Sequence, residues 1–454
     1  MDPLETDRLA VLAALAARGG VASSAQLQAA LRKSQPTLSR LLAALSSQVL
    51  PLGRGRRARY GLARAMLGRA AQQPLWWIAE DGRPQRLGTL SLLGEGRTLH
   101  VDAGALDALQ HDRLPWYLAP LRPQGFLGRL LAQRLAPAGL DANPERWTLE
   151  MQLFAALQLH DAPGAIVLGE PAPAEPLAHA LPLPAEPALA VAQLDLLAED
   201  VARTLPAGSS AGGEQPKFLV RAADGTALVV KFTPPRGTPF GERWHDLLHG
   251  EALAAAVLAG HGVEVAAARI VESSRRSYLL SPRFDRIGAA GRRHAVAVAA
   301  VHDGLVGGPY GGWAASCEAL ARQGRLTALD AARARALSDF GRLIGNTDMH
   351  GGNLSLFVER ASTAGPHQAL AHPGQALAYP AFTLAPVYDM LPMRWRPDVL
   401  VGGAADYSPF EPDPAAAAGP ARGPARVFWQ RLAAHAPVAR PLRAVAAEMA
   451  RRLG

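Results

Sequence analysis

Apolar residues recur at helical spacing over residues 6–18 (TDRLAVLAALAAR), where Thr6 is placed to cap the N-terminus. Two shorter helical stretches follow, 23–31 (SSAQLQAAL) and 35–47 (QPTLSRLLAALSS), joined by a tight Arg-Lys-Ser turn. Pro36 suits the first turn of the second. Residues 49–63 (VLPLGRGRRARYGLA) then predict a strand, a basic Gly-containing tip and a returning strand. Three helices and a basic hairpin predict a small winged helix-turn-helix domain over residues 1–70. In it, Lys33, Gln35, Thr37, Ser39 and Arg40 would face a DNA groove, and Arg54, Arg56, Arg57 and Arg59 would form a wing. The plainer alternative is a helical adaptor with solvated arginines.

Between residues 75 and 135, strand-like runs (LWWIAE, LGTLSLL, TLHVD) lead to a segment, LPWYLAPLRPQGFLGRLLAQRL, that is helical at its end. Residues 170–190 are Pro- and Ala-rich and read as a linker or an irregular surface segment. The pattern divides the chain into units at 1–70, 71–190 and 191–454. The last is interrupted by loop-like stretches at 361–380 and 404–424. There is no run of 18 uncharged apolar residues, and the N-terminus (MDPLETDRLA) is acidic. A soluble, cytoplasmic protein with no membrane partner is the expectation.

Charge sharpens this division. Of the 454 residues, the first 70 hold eleven basic and three acidic side chains, the whole of the +8 excess, while the remainder is neutral. A basic field confined to one segment points to an anionic partner, here DNA. Winged-helix proteins commonly read two half-sites, so a homodimer is expected. The single cysteine, Cys317, excludes an internal disulfide framework and a Cys-rich zinc site, and reads as a buried structural thiol.

Residue scarcity marks the chemistry. Arginine is abundant, but the only lysines are Lys33, Lys217 and Lys231, and the only asparagines are Asn143, Asn346 and Asn353. Four elements use these residues in order. The Ser/Gly-rich loop LPAGSSAGGEQPKFLVR (205–221) could cradle an anion on its backbone N–H groups, although alone it is only a turn. The strand TALVVKFTPP (226–235) places Lys231 among Val and Phe, a costly position unless the ammonium meets an anion or snorkels at a sheet edge. In the following helix, Glu251 could pair with Lys231, with Glu242 and Asp246 as rivals. His245 and His249 have the i,i+4 spacing of a metal pair, but with no third ligand nearby they read as a solvated helix face.

The third element, GNTDMHGGN (345–353), sets Asp348 and Asn353 five residues apart. That is the spacing of a base and a magnesium ligand in protein-kinase catalytic loops. His350 reads as an orienting residue, and Asn346 as the shaper of the turn that presents Asp348. The fourth, FTLAPVYDMLP (382–392), is an apolar strand ending in Asp389, a second metal-ligand position or simply a turn residue.

Together these elements resemble the HipA-like serine/threonine kinases of bacterial toxin–antitoxin systems. GGEQPKF, SPRFDR (281–286), GNTDMHGGN and LAPVYDML are similar to that family's loop, hinge, catalytic-loop and metal motifs. The resemblance implies an α+β, bilobal protein-kinase-like fold. It implies Asp348 as catalytic base, Asn353 and Asp389 as Mg2+ ligands and Lys231 on the ATP phosphates. It also implies ATP-binding roles for Ser210, Gly212, Gly213, Lys217, Phe284, Tyr388 and His350, and autophosphorylation at Ser210, with Ser209 as rival. By family analogy the protein substrate is an aminoacyl-tRNA synthetase or other translation factor, and an antitoxin is a partner. Two features depart from the usual family arrangement: residues 361–380 look like an insertion, and the winged helix is fused rather than supplied by a separate protein. The competing expectation is a DNA-binding regulator whose kinase-like body senses nucleotide without transferring phosphate.

Overall fold

The computed structural model describes residues 3–52, 58–102, 108–111, 114–159, 161–171, 182–204, 215–359, 381–397 and 406–454. The Gly-rich loop with Ser209, Ser210, Gly212 and Gly213, the wing tip with Arg54, Arg56 and Arg57, and the 361–380 segment lie outside them.

The N-terminal unit runs α1 (Pro3–Ala16), β1 (Val21–Ser23), α2 (Ser24–Leu31), α3 (Gln35–Ala44), β2 (Val49–Leu52) and β3 (Arg59–Leu62). Its antiparallel sheet has the order β1-β3-β2, the topology of a winged helix. Thr6 does not cap α1, because the helix already begins at Pro3 and Thr6 lies inside it. A capping box opens α2: Ser23 Oγ accepts from Gln26 N–H at 3.2 Å, and Gln26 Oε1 accepts from Ser23 N–H at 2.8 Å. Leu15, Leu27, Leu38 and Leu41 fill the space between the three helices.

This unit is docked on the sheet of the middle unit. Leu93 and Leu99 of the middle unit join Val21, Leu50 and Leu52 in one apolar cluster. Gly94 allows this approach, since a Cβ there would come 2.2 Å from the carbonyl oxygen of Gly19. The middle sheet contains β4 (Gln72–Ile78), β5 (Pro84–Leu92), β6 (Thr98–Asp102), β7 (Ala108–His111) and β8 (Ile166–Leu168), in the order β7-β6-β5-β4-β8. Between β7 and β8 lie α4 (Gly125–Leu135) and α5 (Leu149–Ala156).

The remainder has the bilobal α+β plan of a protein kinase. After α6 (Pro187–Thr204), the small lobe is an antiparallel sheet of β9 (Lys217–Arg221), β10 (Ala227–Phe232), β11 (Arg269–Glu272) and β12 (Ser277–Pro282), ordered β11-β12-β10-β9. The long helix α7 (Pro239–Gly260) packs on it. A short hairpin, β13 (Arg286–Ile287) and β14 (Gly291–Arg292), leads into the large lobe. There β15 (Ala295–Ala297), β16 (Ser355–Glu359) and β17 (Ala381–Leu384) form a second sheet. Around it are α8 (Val298–Val301), α9 (Trp313–Arg322), α10 (Ala328–Leu343), α11 (Pro414–Ala417), α12 (Arg422–Ala434) and α13 (Arg440–Arg452). Its core is aromatic, with Trp313, Phe340, Phe428 and Trp429 fully buried.

A buried ion network ties the middle unit to the junction between lobes. Asp161 accepts from Arg283 Nη1 at 2.8 Å and from Arg286 Nη2 at 2.6 Å. Asp285 takes Arg283 in a two-pronged pair at 3.0 and 2.9 Å, and also accepts from Gly164 N–H at 2.8 Å. Burial alone would raise the Asp285 carboxyl, but Arg283 and Arg286 hold it at about 2. Removing one member of such a set leaves the others charged and unpaired. Asp285→Ala is expected to lower the unfolding free energy by about 3–5 kcal/mol, read by urea denaturation. A loss below about 1 kcal/mol, the scale of an exposed pair, would show that the network does not join the units.

Candidate functional site

Strand alternation decides which way Lys231 points. Leu228, Val230 and Phe232 face the apolar cluster under α6 and α4, so Val229 and Lys231 face the other way, toward α7. Lys231 is 7% exposed, and its ammonium lies 2.6 and 2.7 Å from the two carboxylate oxygens of Glu251 on α7. It also donates to Asp389 Oδ1, a direct ion pair across the cleft. The snorkelling alternative therefore fails for Lys231. The rivals of Glu251 are engaged elsewhere: Glu242 accepts from Arg236 at 2.9 Å, and Asp246 accepts from Tyr407 Oη at 2.6 Å.

The three charges divide unevenly. Lys231 is pushed up, because the two carboxylates outweigh the cost of burial. Burial would raise Asp389 too, but Lys231 and then Lys217 hold its carboxyl at about 2. Glu251 is pushed up by burial, which the attraction of Lys231 does not fully offset. Lys217 stands directly across from Lys231 in the β9–β10 register.

Asp389 does not end a strand: β17 stops at Leu384, and Asp389 adopts a left-handed backbone with φ 53°. A non-glycine residue holds that conformation only when its surroundings fix it. Here Lys231 holds the carboxylate, while Asn346 Nδ2 donates to the Asp389 carbonyl at 3.2 Å. The same Asn346, buried at 6% exposure, accepts from Asp348 N–H through Oδ1 at 3.0 Å. Its two ends thus join the Asp348 loop to the Asp389 turn. Asn353 Nδ2 donates to the Asp348 carbonyl at 2.9 Å, which commits its nitrogen and leaves the amide oxygen as the group for a ligand. A carboxylate and an amide oxygen form a hard-donor set that suits magnesium.

The Asp348 side chain itself is 41% exposed, two residues before the cleft-lining His350. His350 Nε2 is 3.9 Å from Asp348 Oδ1, too far for a hydrogen bond. Its Nδ1 accepts from Gly352 N–H at 3.0 Å, so the ring serves the turn. Tyr388 donates to the Gly352 carbonyl at 2.7 Å and receives the Ser355 hydroxyl at 2.8 Å. Its ring stacks on Phe284 with centroids 5.6 Å apart. Phe284 lies between Arg283 and Asp285, so the ion network of the middle unit fixes this aromatic pair. Sequence reading missed Asp161, because nothing local to residue 161 announces arginines more than a hundred positions away. Lys217, Lys231, Glu251, Phe284, His350, Tyr388 and Asp389 line one cleft of about 1750 Å3, which continues along Trp116, Arg122 and Arg134 of the middle unit.

In the N-terminal unit, Gln35, Ser39, Arg40 and Arg59 are exposed. Thr37 is half-buried and its hydroxyl is 3.1 Å from Ser34 Oγ. Lys33 is not a free cation, because its ammonium lies 2.7 Å from Asp7 on α1. The pair His245 and His249 also departs from expectation. Both side chains are buried rather than solvated, and a third group, Glu272, is within reach.

Residues 209–453 match the model of the HipA-like C-terminal domain, and residues 69–177 match that of the YjjJ-like toxin, middle domain. The chain is similar to Toxin YjjJ of Escherichia coli (strain K12), 32% identical over 441 residues, covering 95% of this chain and 94% of that protein. Among solved structures it is similar to HipA of Shewanella oneidensis MR-1, described in complex with HipB and its operator DNA. That likeness has a TM-score of 0.47 and 16% identity, over 84% of this chain and 95% of that one.

The charge set makes a test independent of any reaction. Asp389 titrates lower folded than unfolded, so its contribution to stability is complete above about pH 4 and is lost as pH falls toward 2. Lys231→Met removes the cation that lowers it. Carbon-13 NMR of the Asp389 carboxyl is expected to show its midpoint rising in this variant. An unmoved midpoint would mean that Lys231 does not control the charge of Asp389.

Proposed function

The chain belongs to the HipA-like toxin family, and on that premise we propose that it is an ATP- and Mg2+-dependent serine/threonine protein kinase coupled to DNA binding through its N-terminal winged helix. The observation that carries the kinase reading is the buried Lys231 between Glu251 and Asp389, in one cleft with the Asp348–Asn353 loop. Glu251 keeps the Lys231 ammonium at the cleft, where it can exchange its Asp389 contact for nucleotide phosphates. Asp389 and Asn353 are the residues that would hold magnesium, which spreads the charge of the transferring phosphoryl group when bound. Phe284 and Tyr388 offer an aromatic wall for the adenine.

Asp348 is the proposed general base. Its exposure lets a protein hydroxyl reach it, while Asn346 and Asn353 fix its backbone from both sides. A serine or threonine hydroxyl gives its proton to the Asp348 carboxylate as its oxygen bonds to the γ-phosphorus, and ADP leaves. Ser210, with Ser209 as rival, is the proposed autophosphorylation site. Lys217, across from Lys231, supports the loop that carries it. Other protein substrates are proposed from the translation apparatus. Because a winged helix is present in cis, operator DNA can be engaged by residues 1–70 without a separate partner. An antitoxin, if one binds, acts on a chain that already carries its own DNA reader. Among the described residues no helix is long and apolar enough to cross a membrane. The proposed site of action is the cytoplasm, where ATP, operator DNA and the translation apparatus are all at hand.

Purified protein with radiolabelled ATP and Mg2+ is expected to label itself and proteins of a cell lysate. Asp348→Ala is expected to lower the rate at least ~100-fold, the scale of a lost general base. Full activity in that variant would sink the kinase reading. ATP-modulated DNA binding with no transfer would instead establish a nucleotide-sensing regulator. For the DNA reading, replacing Arg40 and Arg59 by alanine, alone and together with Arg54, Arg56 and Arg57, is expected to weaken binding. The salt dependence should flatten by about 0.9 in log–log slope for each phosphate no longer neutralised, measured by fluorescence anisotropy across salt concentrations. An unchanged slope would remove the wing from the interface.

A further inference from the structure

One face of α7 carries a cluster that neither the nucleotide cleft nor the DNA reader uses. His245 and His249 are 3% and 5% exposed, one helical turn apart, with ring centroids separated by 4.5 Å. Glu272, the last residue of β11, brings Oε1 within 3.1 Å of His249 Nε2. One nitrogen of each ring and one Glu272 oxygen all lie within 4.8 Å of one another. Glu251, two residues beyond His249, leaves the helix about 200° away, so the cluster and the Lys231 pair occupy opposite sides of α7.

The remaining ring nitrogens are held from behind. His245 Nε2 is 3.1 Å from the Pro437 carbonyl, which can only accept, so the proton resides there and Nδ1 keeps its lone pair. His249 Nδ1 is 2.8 Å from His435 Nε2. The Glu272 carboxylate can only accept, so without a metal His249 donates from Nε2 and its Nδ1 accepts from His435; a cation at Nε2 takes the other tautomer, with the proton on Nδ1 directed at His435. Backbone carbonyls and secondary acceptors of this kind are what orient metal-bound imidazoles.

We propose that His245, His249 and Glu272 form a binding site for a transition-metal cation of the zinc class, with His435 and the Pro437 carbonyl orienting the two imidazoles. Two imidazoles and a carboxylate are borderline N/O donors that suit Zn2+ and leave a position open, whereas magnesium prefers an all-oxygen shell.

The groups facing the site decide what a metal must displace. The Arg236 guanidinium is the competing cation, 3.0 Å from His245 Nδ1 and 3.8 Å from Glu272 Oε2. It already has a second partner, Glu242, at 2.9 Å, onto which it can withdraw. Ser277 Oγ, 2.8 Å from His245 Nδ1, is the other polar neighbour. A metal here fastens α7 to β11 of the small lobe, and through His435 and Pro437 to the α12–α13 connection of the large lobe. It thereby braces the helix that positions Glu251.

The test uses the full-length, tag-free chain stripped with EDTA and titrated with ZnCl2 by calorimetry, in the presence and absence of excess MgCl2. The expected result is a single zinc equivalent per chain, insensitive to magnesium and retained in Asp389→Ala. Glu272→Gln, at an exposed position, and His249→Gln are expected to weaken binding by roughly tenfold or more, and His435→Ala by roughly 10–100-fold. Cobalt(II) in place of zinc is expected to give visible ligand-field bands that disappear in Glu272→Gln. Circular dichroism checks that each variant is folded. The proposal is overturned if wild type takes up no stoichiometric zinc, or if folded Glu272→Gln and His249→Gln bind it as wild type does. Zinc lost in Asp389→Ala alone also overturns it, because the ion would then be in the cleft.

Discussion

A single ammonium in a nearly dry position organises the kinase-like half of this protein. Burying Lys231 is costly unless opposite charge meets it closely, and the structure supplies two carboxylates from different elements. Glu251 comes from α7 and Asp389 from the turn after β17, so one side chain links the small-lobe sheet, its helix and the large lobe. The strained left-handed backbone at Asp389 is tolerable because its carboxylate and its carbonyl are both held, the latter by Asn346. Through Asn346 the constraint reaches Asp348, and through the Asp348 carbonyl it reaches Asn353. The four residues whose chemistry defines the site are thus one connected hydrogen-bonded unit.

The middle unit completes the same site from outside the kinase-like lobes. Asp161 reaches both arginines that flank Phe284, and the Gly164 backbone donates to Asp285. The aromatic pair Phe284–Tyr388 therefore stands beside charges held by the loop that precedes β8 of the middle unit. The winged helix is in turn packed on that middle sheet through Leu93 and Leu99, with the backbone approach at Gly94 too close for any side chain. The N-terminal unit is thus packed directly on the sheet whose neighbouring loop sets the Arg283–Asp285 network beside the cleft.

Much of this was legible in the order of residues because it depends on local spacing and scarcity. The winged helix followed from 3.6-residue periodicity, turn residues and a concentrated positive charge. The 345–353 loop stood out by the five-residue interval between Asp348 and Asn353, and Lys231 by the cost of a lysine inside an apolar strand. Local rules misled where the environment was supplied from elsewhere. Thr6 looks like a cap only if the helix starts there. His245 and His249 look solvated only if Glu272 and His435 are ignored, and these are 23 and 186 residues from His249.

The sequence alone therefore determined most of the elements, the fold family and which scarce residues to expect in the cleft, since each is encoded by residues a turn or a strand apart. Tertiary structure alone decided which carboxylate answers Lys231. It also neutralised Lys33 on Asp7, fixed the Phe284 wall through Asp161 and gathered three histidines and a glutamate around one point. The physical reason is the same in every case. Whether a charged or titratable side chain is free, paired or poised depends on partners brought within about 4 Å, and for these residues the fold supplies those partners from distant parts of the chain.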